Sequence, residues 1–301
     1  MTWWPDRRRN DNNLTRIISF GLIGAWLILC LVIPSVFSGQ TATLPRPVLH
    51  PEYNDLAQTL QALQSPILWP SHPQSVVGAL VNHHLLAARY IRDTLAPLAS
   101  TSVRRVILVS PNHFFAGRGW VGSIDWDFST PFGTVRTDQA AVAALKPAGV
   151  VVGQADVFHH EHGIYNILPY IKLFFPNAMV VPVILKDGTP PQLIERVRRI
   201  LDRDLGPGIL VIGSFDFSHY QTSAVADQQD ANSLIVLNHF QHPTVTQASV
   251  DSHEGLLLTM ELVTDSGARG FRLVHHSNSG KLTGNLNSHQ TTSYITGWFT
   301  R

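Results

Sequence analysis

The chain of 301 residues is 44% hydrophobic and 14% charged, which supplies enough apolar material for a sizeable buried core and allows one or two domains. Lysine and arginine number 22 against 21 for aspartate and glutamate, so the formal net charge of +1 gives no field that would gather nucleic acid or another polyanion. Nucleic-acid binding is set aside on that ground, and a single cysteine, Cys30, excludes a disulfide within the chain.

From Ile17 to Phe37 the chain reads IISFGLIGAWLILCLVIPSVF without a charge. As a helix at about 1.5 Å per residue this run reaches about 31 Å, which spans a bilayer core. Arg7, Arg8, Arg9 and Arg16 precede it, whereas Ser38 to Leu44 carry no charge. The positive-inside bias therefore assigns residues 1–16 to the cytoplasm and the chain beyond the run to the outside. Small residues at Ser35, Ser38 and Gly39 would suit a cleaved signal peptide. Such peptides have apolar stretches of about 7 to 15 residues, so the longer run favours an uncleaved single-pass anchor. Residues 38–50, SGQTATLPRPVLH, read as an extended spacer. Residues 51–301 form the soluble part, and since it holds no cysteine, thiolate chemistry is excluded there.

In this part, short β-branched runs alternate with segments of helical period. SVVGALV (75–81) reads as a strand, HLLAARYIRDTLAPL (84–98) as a helix and RRVILVS (104–110) as a second strand, a βαβ signature. A helix from Gly163 to Phe175, the strand MVVPVIL (179–185) and a helix opened by Pro190 and Pro191 and running through Leu205 follow. Next come the strand GILVIGSFDF (208–217), helices at Ala224 to Phe240 and His253 to Val263, and strands at Phe271 to His275 and Ser293 to Phe299. Continuous apolar runs suit strands covered on both faces, so the expected fold is a single three-layer α/β domain with a mostly parallel central sheet.

The informative polar residues fall just after predicted strands, where open α/β sheets place their sites. Asn82-His83-His84 follows the first strand, Ser110-Pro111-Asn112-His113-Phe114 the second, and Ser214-Phe215-Asp216-Phe217-Ser218-His219-Tyr220 a later one. His159-His160-Glu161-His162-Gly163 and Asp251-Ser252-His253-Glu254-Gly255 each open a predicted helix. A lone histidine is most often a surface or hydrogen-bonded residue, but three at successive strand ends point to a metal or acid/base site. His159 and His160 read as a solvated loop, and His239, His242, His275, His276 and His289 as surface or packing residues. Trp120, Trp126 and Phe128 follow the His113 motif and read as packing aromatics or as pocket wall.

The succession VNHHLLA, ILVSPNHF, EHGIYNILPYI, VPVIL and SFDFSHY resembles the Memo family, also called AmmeMemoRadiSam system protein B, which is related to the LigB-like class III extradiol dioxygenases. The resemblance covers about Val76 to Leu258 and rests on the order of five motifs. It implies two metal-binding histidines: His83, with His84 as its competitor, and His113 in the segment matching the family's Gly-Pro-Ser-His. The family's Glu-His-Ser matches Glu161-His162-Gly163, and its Ser-Asp-Phe-Ser-His ends at His219. Memo proteins commonly carry a Cys-Gly pair near the third metal position. The counterpart here is Asp251-Ser252, which makes Asp251 the expected third ligand and leaves His253 and Glu254 as alternatives. The glutamate that follows the family's His-Ser-Ile is Tyr165 in this chain.

That resemblance implies a divalent metal held by His83, His113 and Asp251, Fe(II) foremost with zinc or copper as alternatives. Such a two-histidine, one-carboxylate face leaves positions open for a chelating substrate and O₂. His219 and His162 are the expected acid and base, since an imidazole pKa near 6.5 serves either role. Asp216 is expected to orient or charge-stabilise an imidazole, with a turn-capping role as the alternative. The functions implied are a membrane-anchored oxidoreductase of extradiol-dioxygenase ancestry or a non-catalytic protein that binds a peptide or small molecule in the same cleft. A zinc hydrolase would use the same ligands but has no HExxH helix behind it.

Overall fold

A computed structural model of the protein describes residues 45–53, 56–65, 75–100, 102–240 and 242–301. The apolar run 17–37, the residues before it and the first part of the spacer lie outside the described residues. Among the described residues no helix is long and apolar enough to cross a membrane.

The chain lays down β1 (Val76–Val81), helix α1 (Ala88–Leu95), β2 (Arg105–Pro111) and the short β3 (Val121–Ser123). Three short helices follow, α2 (Ala155–His160), α3 (His162–Tyr165) and α4 (Leu168–Phe174), and then β4 (Met179–Leu185) and α5 (Pro191–Asp202). The C-terminal part adds β5 (Ile209–Ser214), β6 (Phe217–Gln221), α6 (Ser223–His239), α7 (His253–Asp265), β7 (Gly270–Asn278) and β8 (Thr291–Thr300). Across the sheet the order is β6, β8, β1, β5, β2, β4, β3, with β7 on the remaining edge of β8.

The four central strands β1, β5, β2 and β4 are mutually parallel. β8 runs antiparallel to β1, β7 to β8, and β3 to β4. The expected parallel sheet is thus the centre of a mixed one, because the two C-terminal strands form a hairpin-like pair on its margin. Alternation within the apolar runs feeds two separate cores. Ile107, Val109, Val181, Val183 and Val211 pack on one face with Leu193, Val197 and Leu201 of α5 and Leu256, Leu258 and Leu262 of α7. Val106, Leu108, Val180, Ile184, Leu210 and Ile212 pack on the other with Ile91 and Leu95 of α1 and Leu168 and Ile171 of α4. Two cores on opposite faces make the three layers, and they explain why these strands read as unbroken apolar sequence.

Two boundaries differ from the sequence expectation. The helix expected over 163–175 is interrupted, because Asn166 turns its side chain to donate to His83 O at 3.0 Å and Pro169, in the first turn of α4, brings no N–H to a continued helix. The strand expected to run to residue 217 stops at Ser214. Phe215 N still donates to Val81 O at 2.9 Å, but Asp216 turns in to the polar cluster and β6 leaves in a new direction to pair with β8.

Candidate metal centre

Three neighbouring parallel strands end in the same way. β1 stops at Val81, β2 at Pro111 and β5 at Ser214, and two residues beyond each stands a polar side chain: His83, His113 and Asp216. Asparagines close two of the turns. Asn82 Nδ2 donates to His84 O at 3.1 Å, and the Asn112 amide exchanges hydrogen bonds with both the N and the O of Ala116 at 3.0 and 2.9 Å. Asn112 thus closes the loop that carries His113 through its own side chain. Asp251, immediately before the Ser252 cap of α7, enters the same space from the opposite side. It is tied there reciprocally: Asp216 N donates to Asp251 Oδ2 at 2.9 Å, and Asp251 N donates to Asp216 O at 3.0 Å.

The hydrogen-bond pattern assigns both imidazole tautomers. Ser214 Oγ donates to Gly163 O at 2.7 Å, so toward His83 Nδ1, 3.2 Å away, it is the acceptor. Nδ1 of His83 therefore carries the proton and Nε2 has a free lone pair. Glu161, fully buried, accepts from His113 Nδ1 at 2.6 Å and from His113 N at 3.0 Å, which leaves Nε2 of His113 as the nitrogen that would turn to a metal on losing its proton. The two Nε2 atoms converge on one carboxylate oxygen, Asp251 Oδ2, at 3.3 Å from His83 and 3.7 Å from His113. Donors bound to one metal at about 2.0–2.2 Å would stand at about this separation. Asp251 Oδ1 is buried and has no hydrogen-bond partner, as a carboxylate would be whose second oxygen awaits an ion. The donor set thus fits a divalent cation with nitrogen and oxygen ligands.

Asp216 sits closer to the centre than the sequence suggested. Its Oδ1 accepts from His83 N at 3.2 Å and its Oδ2 lies 3.4 Å from His83 Nε2, so the imidazole it faces is that of His83, and it groups with His83 and Asp251. Burial, and then the charge of Asp251, push its carboxyl up to about 8. His162 packs with its ring centroid 4.0 Å from that of His113 and 5.1 Å from that of His83. Burial first and His113 second pull its imidazole down to about 4. Burial also lowers His219, which is half-buried, and lowers the fully buried His83 strongly, His113 adding to both. Burial opposes the charge on His113 too, but Asp251 and Glu161 outweigh it and raise that imidazole to about 10.

The alternatives at the first and third positions separate cleanly. His84 is exposed and its Nδ1 pairs with the Tyr294 hydroxyl at 2.7 Å. His253 Nε2 donates to Ala248 O at 2.9 Å, and Glu254 accepts from Gly188 N at 2.9 Å, so both face away from the cluster. Glu161 and Ser214, which fix the two tautomers, were not singled out from sequence; the cue was a carboxylate next to His162 at the mouth of a helix and a serine at a strand end. His159 and His160 end helix α2, in place of the expected loop, and with His162, Phe114 and Tyr165 they line an open cavity of about 300 Å³. Phe128 is fully buried in the core and Trp126 packs beside it, whereas Trp120 is exposed against Phe115. A second cluster of Asp227, Asp230 and His276 is satisfied internally. Lys281 pairs with Asp227, and the Ser218 and Ser293 hydroxyls and His276 Nε2 bind Asp230, so the cluster's carboxylates are already engaged by protein groups.

The family model described as Memo-like protein matches residues 66–297. A MEMO1 family protein of Ignicoccus hospitalis is 24% identical over 239 residues, covering 73% of this chain and 81% of its own length. One of Methanosarcina barkeri is 24% identical over 229 residues, 71% of this chain and 84% of its own. One of Caldivirga maquilingensis is 24% identical over 190 residues, with shares of 60% and 67%. The match takes in all three central strand ends and the loop that carries Asp251, and the chain belongs to the Memo family.

Proposed function

We propose that the domain binds a divalent metal, Fe(II) foremost, through His83 Nε2, His113 Nε2 and Asp251, with Asp216 beside them, and that it is an oxidoreductase of extradiol-dioxygenase ancestry. The observation that carries this reading is the convergence of two Nε2 atoms, each on a ring whose Nδ1 is already committed to a hydrogen bond, on a carboxylate whose second oxygen is buried and unpartnered. When bound, such an ion supplies Lewis acidity and open positions for a chelating substrate and O₂.

The protein's own groups supply the rest. Glu161 and Ser214 hold the two imidazole rings in register and keep their protons on Nδ1. His162 and His219, both lowered by burial, are neutral at pH 7 and so are able to accept a proton from a substrate hydroxyl. His162 stands between the cluster and the cavity, which suits it to meet substrate first. The cavity also supports a second reading, in which the domain binds a small molecule or peptide without turning it over.

We further propose that residues 17–37 anchor the chain in the membrane with the domain outside the cytoplasm. The uncharged run and the arginines before it support this. Extraction with alkaline carbonate should leave the protein in the membrane pellet, and release into the supernatant would reject the anchor.

The decisive experiment on the metal is to purify the full chain anaerobically and measure its metal content beside His83→Ala and His113→Ala. Both variants should lose the metal; full retention in both would reject the site. Metal in the wild type without turnover of any catechol would favour the binding reading.

A further inference from the structure

The cavity next to His162 has a wall chemistry that the metal alone does not explain. At about 300 Å³ it is the size of a small aromatic ligand with a short side chain. Phe114, whose ring centroid is 6.1 Å from that of His162, and Tyr165 give it aromatic sides, and Val157 an aliphatic one. Its acidic side chains are Glu52 and Asp156, its basic ones the imidazoles of His159, His160 and His162, and no lysine or arginine lines it among the described residues.

Both carboxylates are exposed, and the segments that carry them are ordered by the surrounding fold. Tyr53 donates its hydroxyl to Ser129 O at 2.9 Å and sets its ring edge-on to Tyr165 at 5.9 Å, which pins the segment that presents Glu52. Asp156 lies in the first turn of α2, where the helix dipole favours a negative side chain. Two carboxylates with aromatic faces between them select a cation on an apolar body, through ion pairing and through the ring quadrupole.

Resting on the metal reading for the orientation of the ligand, we infer that this cavity recognises the ammonium group of an aromatic amine, with the ring directed past His162 toward the centre. An aromatic acid of the same shape meets two like charges and is rejected.

The test separates this inference from the metal itself. The full chain, with and without Fe(II), is titrated calorimetrically with phenethylamine and with 3-phenylpropionate, which share a ring and a chain length, differ in charge and cannot chelate. Dopamine and 3-(3,4-dihydroxyphenyl)propionate repeat the comparison with a chelating ring. Phenethylamine should bind the metal-free protein about tenfold more tightly than the acid, and Glu52→Gln or Asp156→Asn should each cut amine binding by about 2- to 5-fold, the range expected of exposed charge pairs. Added salt should shrink the preference. Absence of amine binding, equal binding of the two probes, or a preference untouched in the double variant would overturn the inference. A protein that takes up no iron yet keeps the amine preference rejects the metal reading alone. One that binds iron but shows no preference between dopamine and its acid counterpart rejects the cavity assignment alone.

Discussion

Glu161 touches His113 twice, at the backbone N–H and at Nδ1, and a third time accepts from Gly163 N at 3.1 Å, so one buried carboxylate shapes the whole His113 side of the centre. Replacing it by glutamine keeps the shape and removes the charge. Glu161→Gln should weaken metal binding by about 10- to 100-fold, the range for a partner of a ligating imidazole, as read by competition with a chelator; unchanged affinity would mean that His113 is no ligand. Gly163 is fixed by a neighbour. A Cβ at that position would collide with Ser110 Oγ and crowd His113 Cε1 at 3.2 Å. Gly163→Ser alone should cost about 1–3 kcal/mol by overpacking, and Ser110→Gly in the same chain should recover most of it, both measured by denaturant unfolding. His83 and His113 drew attention in the sequence because each follows a recognisable strand, whereas the choice of His83, His113 and Asp251 as ligands came from the resemblance to the Memo family. Glu161 was hidden, since nothing in its neighbourhood shows that its carboxylate crosses to a strand end 48 residues earlier.

At the scale of elements, the site depends on strands that stop together. β1, β5 and β2 are adjacent, and each delivers its polar residue two positions past its end, which is why three motifs distant in sequence share one space. Phe215 anchors the last of these turns. Its ring lies between Gly213 and Gly255, where a Cβ would come within 2.7 and 2.6 Å of it, so it fills the gap between β5 and the start of α7. Phe215→Ala should cost about 3–5 kcal/mol as a fully buried aromatic and should loosen both Asp216 and Asp251, with metal affinity falling in parallel. A stability loss with metal affinity intact would show that the two loops are held by their own hydrogen bonds. The central strands and α5 were readable from apolar runs and from a proline at the helix start. The break between α3 and α4 was not, because it depends on Asn166 reaching the His83 carbonyl, a contact that local periodicity does not encode.

For the molecule as a whole, the four groups of the centre come from positions 83 to 251, so a bound ion ties most of the described domain together. Binding to the folded state alone raises its stability by mass action, and the melting temperature should climb with Fe(II) concentration under anaerobic conditions. The proton balance has a definite sign. His113, raised from 6.5 to about 10, and Asp216, raised from 3.8 to about 8, hold protons in the folded metal-free protein that an unfolded chain has released at neutral pH. Their contribution to stability is complete below the unfolded values and is lost as pH rises through the folded ones. The lowered His83 and His162 are deprotonated in both states above pH 7.5 and do not oppose the trend there. The metal-free protein should therefore lose stability between pH 7.5 and 9.5. Metal binding at pH 7 should release protons, measurable by calorimetry in buffers of different ionisation enthalpy, and zero release would contradict the raised His113.

The third donor proposed for the centre is a carboxylate, Asp251, in a domain with no cysteine from residue 51 to 301. No ligand atom can climb from thiol through sulfenic to sulfonic acid, so peroxide and alkylating reagents find nothing at the centre to cap. Hard oxygen and imidazole donors also favour iron or manganese over soft cuprous ion. A centre built this way would keep its ligand atoms intact when the metal itself is oxidised in air.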